Sequence, residues 1–457
     1  MKANALLLDD KQIVMSETTL SIRGQKATET ALRTDMELFF EANNDLWRKK
    51  KNQNGKFPLN LAENNQNWEF LKNKMEDILK NNSIPKWVSN YTGILGHHSF
   101  LESVAKFMSK YVTGCEISTD HLGASAGSTA VVELCAWVLC NHGDIALLPA
   151  PSYPVYTQDI KMKAGVQRYN LITHHELSDL KSGPILNTGH LETAVRSLNQ
   201  QGKVVKMLIL TNPDNPTGVI YSDKQILQIA NWCVKNKIHL IVNELYALST
   251  INTDHKDLKG KYKEESNSRS FAKIINEMES DYLHMIYGFS KDFGISGMRV
   301  GLVYSKNEAF LKSYTNLAAP HMVSNLTQWV VQEVLSDGKF LKQYIKLNKS
   351  NLTKSYITVT KTLDKLNIPY VPARGSLFVW LDMSEFLRAN TEKAEQKLWS
   401  TIYDQQGVLL TPGTGFGHSK RGQFRLVHSF LQPNALKEAM KRIKTFVSES
   451  RAKKIKF

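Results

Sequence analysis

The sequence predicts an α/β fold: a large unit built on a mostly parallel sheet between helical layers, with a smaller α+β unit made from both ends of the chain. Two observations predict the large unit. Short apolar runs recur at Ile145 to Leu148, Met207 to Leu210, His239 to Val242, His284 to Tyr287 and Val300 to Tyr304, each of a length suited to a buried strand. Among them lie Thr129 to Leu139, Asp223 to Asn236 and Ser324 to Leu335, where apolar residues recur at three and four, the spacing that gives a helix one apolar face. Strands and helices alternating in this way are the pattern of parallel βα units.

A third observation predicts the smaller unit. Residues 1 to about 60 are polar with isolated aromatics (Phe39, Phe40, Trp47), and from about 338 a long helical pattern leads to strands at Leu377 to Leu381, Val408 to Leu410 and Phe424 to Val427. The expected division is 1–90 as an N-terminal arm and part of the small domain, 91–336 as the large domain, and 337–457 as the rest of the small domain. Asn252 to Ser270 is rich in Lys, Glu and Ser and is expected to be a surface loop. No internal repeat is visible.

Composition narrows the function classes. A chain of 457 residues has room for two or three units, because single cores stop growing at about 250–300 residues. Lys and Arg exceed Asp and Glu by 15, a balance that suits nucleic-acid or membrane-surface binders. The basic runs are short and scattered, however: Arg48 to Lys51, Lys256 to Lys263 and Arg451 to Lys456. They do not interleave with aromatics as a single-strand binding surface does, so they read as solvated faces and no nucleic-acid partner is expected. The four cysteines, Cys115, Cys135, Cys140 and Cys233, show no CxxC spacing, so neither a metal site nor a disulfide framework is expected. No apolar stretch reaches the roughly 20 residues that span a bilayer, and the run Ala5 to Leu8 is short and followed by Asp9 and Asp10, unlike a signal peptide. A soluble, cytoplasmic protein is expected.

Two segments carry chemistry. In Tyr287 to Gly301, YGFSKDFGISGMRVG, Lys291 follows a strand, is flanked by Ser290 and is trailed by glycines and Arg299. A lysine that forms a Schiff base must sit at the end of a rigid element, partly desolvated, with a cation nearby for an anionic ligand. Taken alone, a lysine after a strand is usually a surface lysine. The second segment, Thr211 to Gly218, reads TNPDNPTG; two Asn-Pro steps make a rigid turn at the carboxyl end of a strand, where α/β sheets bind ligands. Its bland reading is a loop. What distinguishes the two segments is their presence in one α/β chain.

With an FR step at Phe424 and Arg425, these motifs resemble the fold-type I pyridoxal-phosphate aminotransferases of class I and II. The LAEN of Leu61 to Asn64 and the YTGILG of Tyr91 to Gly96 are most similar to the 1-aminocyclopropane-1-carboxylate synthase branch. The resemblance runs from about residue 37 to about 445 with motifs in family order. It implies a three-layer α/β/α large domain, pyridoxal 5'-phosphate as cofactor and a homodimer with shared active sites.

Carried over position by position, Lys291 holds the cofactor as a Schiff base and moves the substrate α-proton. Gly127, Ser128 and Thr129 match the phosphate-binding helix start, and Ser290 and Arg299 match further phosphate contacts. Tyr91 matches the tyrosine that reaches the neighbouring subunit's phosphate. Tyr153 in PSYP matches the aromatic stacked on the cofactor ring, and otherwise reads as a core aromatic. Asn215 and Tyr246 match the pair on the ring's phenolic oxygen. Arg425 matches the two-pronged grip on the substrate α-carboxylate, and Glu63 the substrate-side glutamate of the synthase branch.

Two positions depart from the pattern. Asn243, in VNELY, stands where the family has the aspartate beneath the pyridine nitrogen; an asparagine bonds but carries no charge, which predicts weaker carbanion stabilisation. Glu244 is next to it, but neighbours on a strand face opposite ways. Gly288 stands where related enzymes place a phosphate-touching serine. Three readings follow: an aminotransferase slowed by Asn243; a lyase or cyclase of the synthase type acting on S-adenosylmethionine or a similar γ-substituted amino acid, favoured by Glu63 and Tyr91; or a non-catalytic cofactor-binding protein. Only Asn243 and Gly288 favour the third, whereas Lys291, Arg299, Asn215, Tyr246 and Arg425 are all in place.

Overall fold

The structure is a computed structural model that describes residues 19–28, 35–262 and 269–457. The chain divides into two units, Met1–Thr34 and Asp35–Phe457. The first contributes one described helix, Ile22–Thr28; the rest of the N-terminal arm lies outside the described residues. All that follows concerns the second unit.

In chain order its strands are β1 (Phe57–Pro58), β2 (Leu122–Ser125), β3 (Ile145–Ala150), β4 (Gln167–Ile172), β5 (Val205–Thr211) and β6 (His239–Asn243). There follow β7 (Leu283–Gly288), β8 (Gly301–Ser305), β9 (Phe378–Asp382), β10 (Val408–Leu409), β11 (Thr411–Pro412) and β12 (Gln423–Val427). Seven of these form the central sheet in the order β2-β8-β7-β6-β5-β3-β4. The run from β4 through β3, β5 and β6 to β7 is parallel, and β8 is antiparallel to both neighbours. A parallel return needs a crossover of a dozen or more residues, usually with a helix; residues 289–300 hold only the short helix Phe289–Asp292 and one 3₁₀ turn, so the chain turns straight back.

Both faces of the sheet are covered. Leu147, Leu208, Leu210, Leu240, Val242, Met285 and Leu302 join one buried core, while Ala146, Leu148, Met207, Ile209, Ile241, Ile286 and Val303 join another. This period-two division between two apolar cores is why the strands read as unbroken hydrophobic runs and gives the three-layer α/β/α architecture. The expected helices fall at Ser128–Leu139, Asp223–Lys235 and Asn325–Ser336. Ser222 caps the second of these reciprocally with Gln225, a capping box legible in the sequence.

Segments from both ends of the second unit meet in a separate core. β1 pairs with β10 in parallel, and β9, β11 and β12 form an antiparallel sheet. A third core unites Phe39, Phe57 and Leu59 with Leu352, Phe378, Leu426 and Val447. Leu71 and Ile78 of the helix Trp68–Asn81 sit in the same core as the central sheet, as do Phe340, Leu341 and Tyr344 at the start of the long helix Gly338–Lys365, whereas Leu352, Tyr356 and Leu363 farther along that helix join the third core. An amide cluster knits the junction: Asn64 and Asn67 both donate to Asn348 Oδ1 at 2.8 Å.

The stretch expected to be a surface loop is anchored as far as Tyr262. Leu258 is buried in the small domain's core, and the Tyr262 hydroxyl donates to the Ala373 carbonyl at 2.8 Å. Residues 263–268 lie outside the described residues.

Candidate active site

Strand direction gathers the candidate residues at one sheet edge. Tyr153 follows β3, Asn215 follows β5, Asn243 ends β6 and Lys291 follows β7, all at carboxyl ends, where open α/β sheets bind ligands. Because β8 runs the other way, it is Arg299, just before its start, that reaches this edge. β2 again runs with β7, which brings Gly127 and Ser128 alongside.

At that end the structure forms an anion cradle. Gly127 caps the helix Ser128–Leu139 with φ of +92°, and a Cβ there would lie 2.3 Å from an Arg299 guanidinium nitrogen, so only glycine fits. Arg299 is held over the turn by bonds to the Ser296 and Ala126 carbonyls at 3.0 and 3.3 Å. Ser128 Oγ is buried with no hydrogen-bond partner among the described residues, a costly state unless a ligand accepts or donates there. An orphan hydroxyl, a helix amino end and a guanidinium fit a phosphate monoester. Thr129 is exposed in the same first turn and Ser290 is buried beside Lys291. At Gly288 a Cβ would stand 2.9 Å from Ser128 Oγ and 2.8 Å from the Val300 carbonyl. The missing side chain there leaves no gap, because its space is taken by Ser128.

Lys291 is half-buried and its Nζ donates to the Ala62 carbonyl at 2.7 Å. The next residue, Asp292, fixes it. Its buried carboxyl accepts from the Leu248 amide, the Ser249 hydroxyl and the Tyr287 hydroxyl at 3.0, 2.7 and 2.9 Å, and burial pushes it up to about 7. Glu63, adjacent to Ala62, accepts from Ser296 Oγ at 3.2 Å.

Between cradle and small domain lies a run of neutral polar groups. Asn243 Nδ2 donates to Tyr156 Oη at 2.8 Å, and Tyr156 Oη bonds Thr211 Oγ1 at 3.0 Å. Asn243 Oδ1 accepts the Leu245 amide at 3.2 Å, so the amide's orientation is set by a backbone donor. Burial raises the Tyr156 phenol and keeps it neutral. Glu244 faces away, as strand alternation requires, with its carboxylate on Ser270 Oγ and the Phe271 amide, both at 2.6 Å. Tyr153 meets Tyr156 edge to face at 5.4 Å. Asn215 donates to Tyr246 Oη at 3.4 Å and accepts from Arg425 at 2.9 Å. Arg425, on β12, is buried; it also donates to the Asn60 carbonyl at 2.6 Å and lies over the rings of Phe378 and Phe416 at 4.6 and 5.2 Å.

Asn215, Tyr246 and Arg425 are thus joined by direct bonds, Asn243 and Lys291 end or follow neighbouring strands at the same edge, and Gly127, Ser128 and Arg299 lie at the cradle end. Tyr91 is not brought to them within this chain: its side chain is fully exposed. Asn60, Tyr156, Asp292 and Phe416 escaped the sequence reading. Asn60 bonds Arg425 across 365 residues and Tyr156 bonds Asn243 across 87, whereas Asp292 has one near partner, Tyr287, besides Leu248 and Ser249. Among the described residues no cluster of His, Cys, Asp and Glu suits a metal ion, and no helix is long and apolar enough to cross a membrane.

The model of the aminotransferase class I and II family matches residues 58–443. 1-Aminocyclopropane-1-carboxylate synthase 6 of Arabidopsis thaliana is 30% identical over 358 residues, covering 78% of this chain and 69% of that protein. 1-Aminocyclopropane-1-carboxylate synthase 2 of Oryza sativa subsp. japonica is 28% identical over 419 residues, covering 89% and 83%. Among solved structures, an archaeal alanine:glyoxylate aminotransferase superposes with a TM-score of 0.77 at 18% identity, covering 94% of this chain and 98% of that one. Aspartate aminotransferase from Thermus thermophilus with maleate gives 0.72 at 17% identity, covering 94% and 99%.

Proposed function

We propose that this chain, which belongs to the aminotransferase class I and II family, acts on an α-amino acid as an aminotransferase, with Lys291 as the residue that carries its cofactor. The cofactor is pyridoxal phosphate, as in its family. When bound, pyridoxal phosphate supplies a carbonyl carbon for an amine and a conjugated ring that withdraws electrons from the substrate Cα.

The chain's own residues do the rest. Ser128 Oγ, the amide end of the helix behind Gly127, and Arg299 bind the phosphate, with Ser290 and Thr129 beside them. Tyr153 would cover the ring, Tyr246 Oη with Asn215 Nδ2 would bind the phenolic oxygen, and Asn243 would offer the ring nitrogen an uncharged amide. The guanidinium fork of Arg425, desolvated between Phe378 and Phe416, grips the α-carboxylate. Lys291 Nζ holds the cofactor and afterwards takes and returns the α-proton. Its neighbour Asp292 keeps it in place through bonds to the loop after β6. Tyr91, exposed in this chain, contributes to the site of a second subunit in a homodimer, and the protein works in the cytoplasm.

The observation that carries this reading is the link Tyr246–Asn215–Arg425, which joins a phenolic-oxygen site to a carboxylate site across the two domains. A second reading, elimination and cyclisation of S-adenosylmethionine, is favoured by Glu63, whose carboxylate lies one residue from the carbonyl that holds Lys291, and by the synthases to which the chain is similar. Product analysis separates them: a keto acid from amino-group transfer, methylthioadenosine from elimination. Formation of methylthioadenosine without a keto acid would overturn the first reading.

A further inference from the structure

We infer that Arg168 is a positioning residue that sets the carboxylate end of the site by tying the loop after β3 to the small-domain loop that walls Arg425; the inference rests on Arg425 as the carboxylate grip. Arg168 lies on β4, the edge strand farthest from Lys291 in the sheet order, and in sequence it is one polar residue in a polar strand. Its half-buried guanidinium nevertheless reaches six acceptors. Nε donates to Asn170 Oδ1 at 2.6 Å. One terminal nitrogen donates to the Tyr153 carbonyl at 3.1 Å and Thr157 Oγ1 at 3.3 Å. The other donates to Ser152 Oγ at 2.7 Å, the Ser152 carbonyl at 3.3 Å and the Phe416 carbonyl at 3.2 Å.

These acceptors belong to two domains and are all neutral. Burial pulls the guanidinium down only to about 10, so it keeps its charge at neutral pH. A packed hydrophobe could fill the space but would leave these acceptors without a donor. What a hydrophobe cannot do is point five donors in fixed directions. Here the fork holds the backbone of Ser152 and Tyr153 on one side and Phe416 on the other. The Phe416 carbonyl also accepts the Ser152 amide at 2.9 Å. Phe416 in turn lies against Arg425 at 5.2 Å and meets Trp380 edge-on at 5.1 Å. The loop seats closely beside the same strand: a Cβ on Gly417 would lie 2.3 Å from Asn170 Oδ1. One side chain therefore fixes both the aromatic that covers the cofactor and the wall of the carboxylate grip.

Two probes that react with lysine-bound pyridoxal phosphate read this out: aminooxyacetate, which carries a carboxylate, and methoxyamine, which does not. The holoenzyme and its Arg168→Gln, Arg168→Lys, Gly417→Ala and Arg425→Lys variants are titrated with each, following the cofactor absorbance. For Arg168→Gln the expected result is about a tenfold weaker response to aminooxyacetate, as for a displaced rather than a deleted grip, with the methoxyamine response within about twofold of wild type. Lysine keeps the charge but not the fork, so Arg168→Lys falls with the glutamine variant; Gly417→Ala, which keeps the Arg168 side chain but crowds its acceptor Asn170 and pushes the loop, falls in the same selective way. If the glutamine variant does not fold, the lysine and Gly417→Ala variants decide. Equal losses on both probes, or no loss, while Arg425→Lys does discriminate them, overturn the role of Arg168. Failure of Arg425→Lys to discriminate overturns the carboxylate reading, and the inference with it.

Discussion

Asn215 accepts a hydrogen bond from Arg425 at 2.9 Å while donating to Tyr246, so a turn of the large domain and a strand of the small one hold a single polar network. On the proposed roles, the grip on the substrate and the contact with the cofactor oxygen would be set together. Replacing Arg425 with Lys keeps a charge but removes the fork, and the ammonium cannot serve Asn215, Asn60 and a carboxylate at once. Steady-state kinetics are expected to show KM for the amino acid raised by about tenfold or more, with cofactor absorbance retained. An unchanged KM would place the carboxylate elsewhere.

Asn243 stands in a neutral relay with Tyr156 and Thr211. A carboxylate there favours a protonated ring nitrogen and so a stronger pull on Cα electrons. Asn243→Asp is expected to raise the rate of amino-group exchange with any one amino acid, measured in single turnovers. An unchanged or lower rate would mean that the relay, not the missing charge, is what the site needs.

Gly127→Ala puts a methyl group against Arg299 at a φ of +92°. The strain of about 1–3 kcal/mol falls on the phosphate cradle. Cofactor affinity is expected to drop by about tenfold or more, measured by dialysis and reconstitution, with little change in KM for the amino acid once saturated. Unaltered cofactor affinity would show that the phosphate binds without this turn.

Burial raises Asp292 in the folded protein to about 7 from an ordinary 3.8. The folded state therefore holds a proton that the unfolded state has already lost between those values, and the stability this contributes is present at about pH 4 and disappears as pH rises through about 7. Against Asp292→Asn, wild type is expected to lose relative thermal stability from pH 5 to pH 8. His428, which burial lowers to about 3, works the other way: its contribution is present above about 6.5 and is lost as pH falls. A wild-type to Asp292→Asn difference that stays flat with pH would show that Asp292 is ionised throughout.

The large domain was legible because strands covered on both faces read as unbroken apolar runs, as in β5, β6 and β7. The edge strand β4 was not, since Gln167, Arg168 and Asn170 look outward or across to another domain and break the pattern. β2 is short and rich in small residues, which pack without leaving a hydrophobic signature. At the site, Lys291, Asn215 and Arg425 sit in motifs whose local chemistry stands out. Tyr156 acts through Asn243 and Thr211, which only the fold brings near, so no spacing in the sequence could mark it. The helix Trp68–Asn81 reads as amphipathic wherever it packs, and only the packing shows which core Leu71 and Ile78 join.

The central claim is that Lys291 carries the cofactor. The most direct measurement is the absorbance spectrum of the purified protein with pyridoxal phosphate, for wild type and Lys291→Ala, before and after sodium borohydride and with mass spectrometry of the reduced protein. If Lys291 carries the cofactor, wild type shows a long-wavelength band that is missing in the variant, and after reduction a cofactor mass appears on the peptide containing Lys291. A band and a reduced adduct of equal size in Lys291→Ala, or an adduct on another lysine of the wild type, would contradict it.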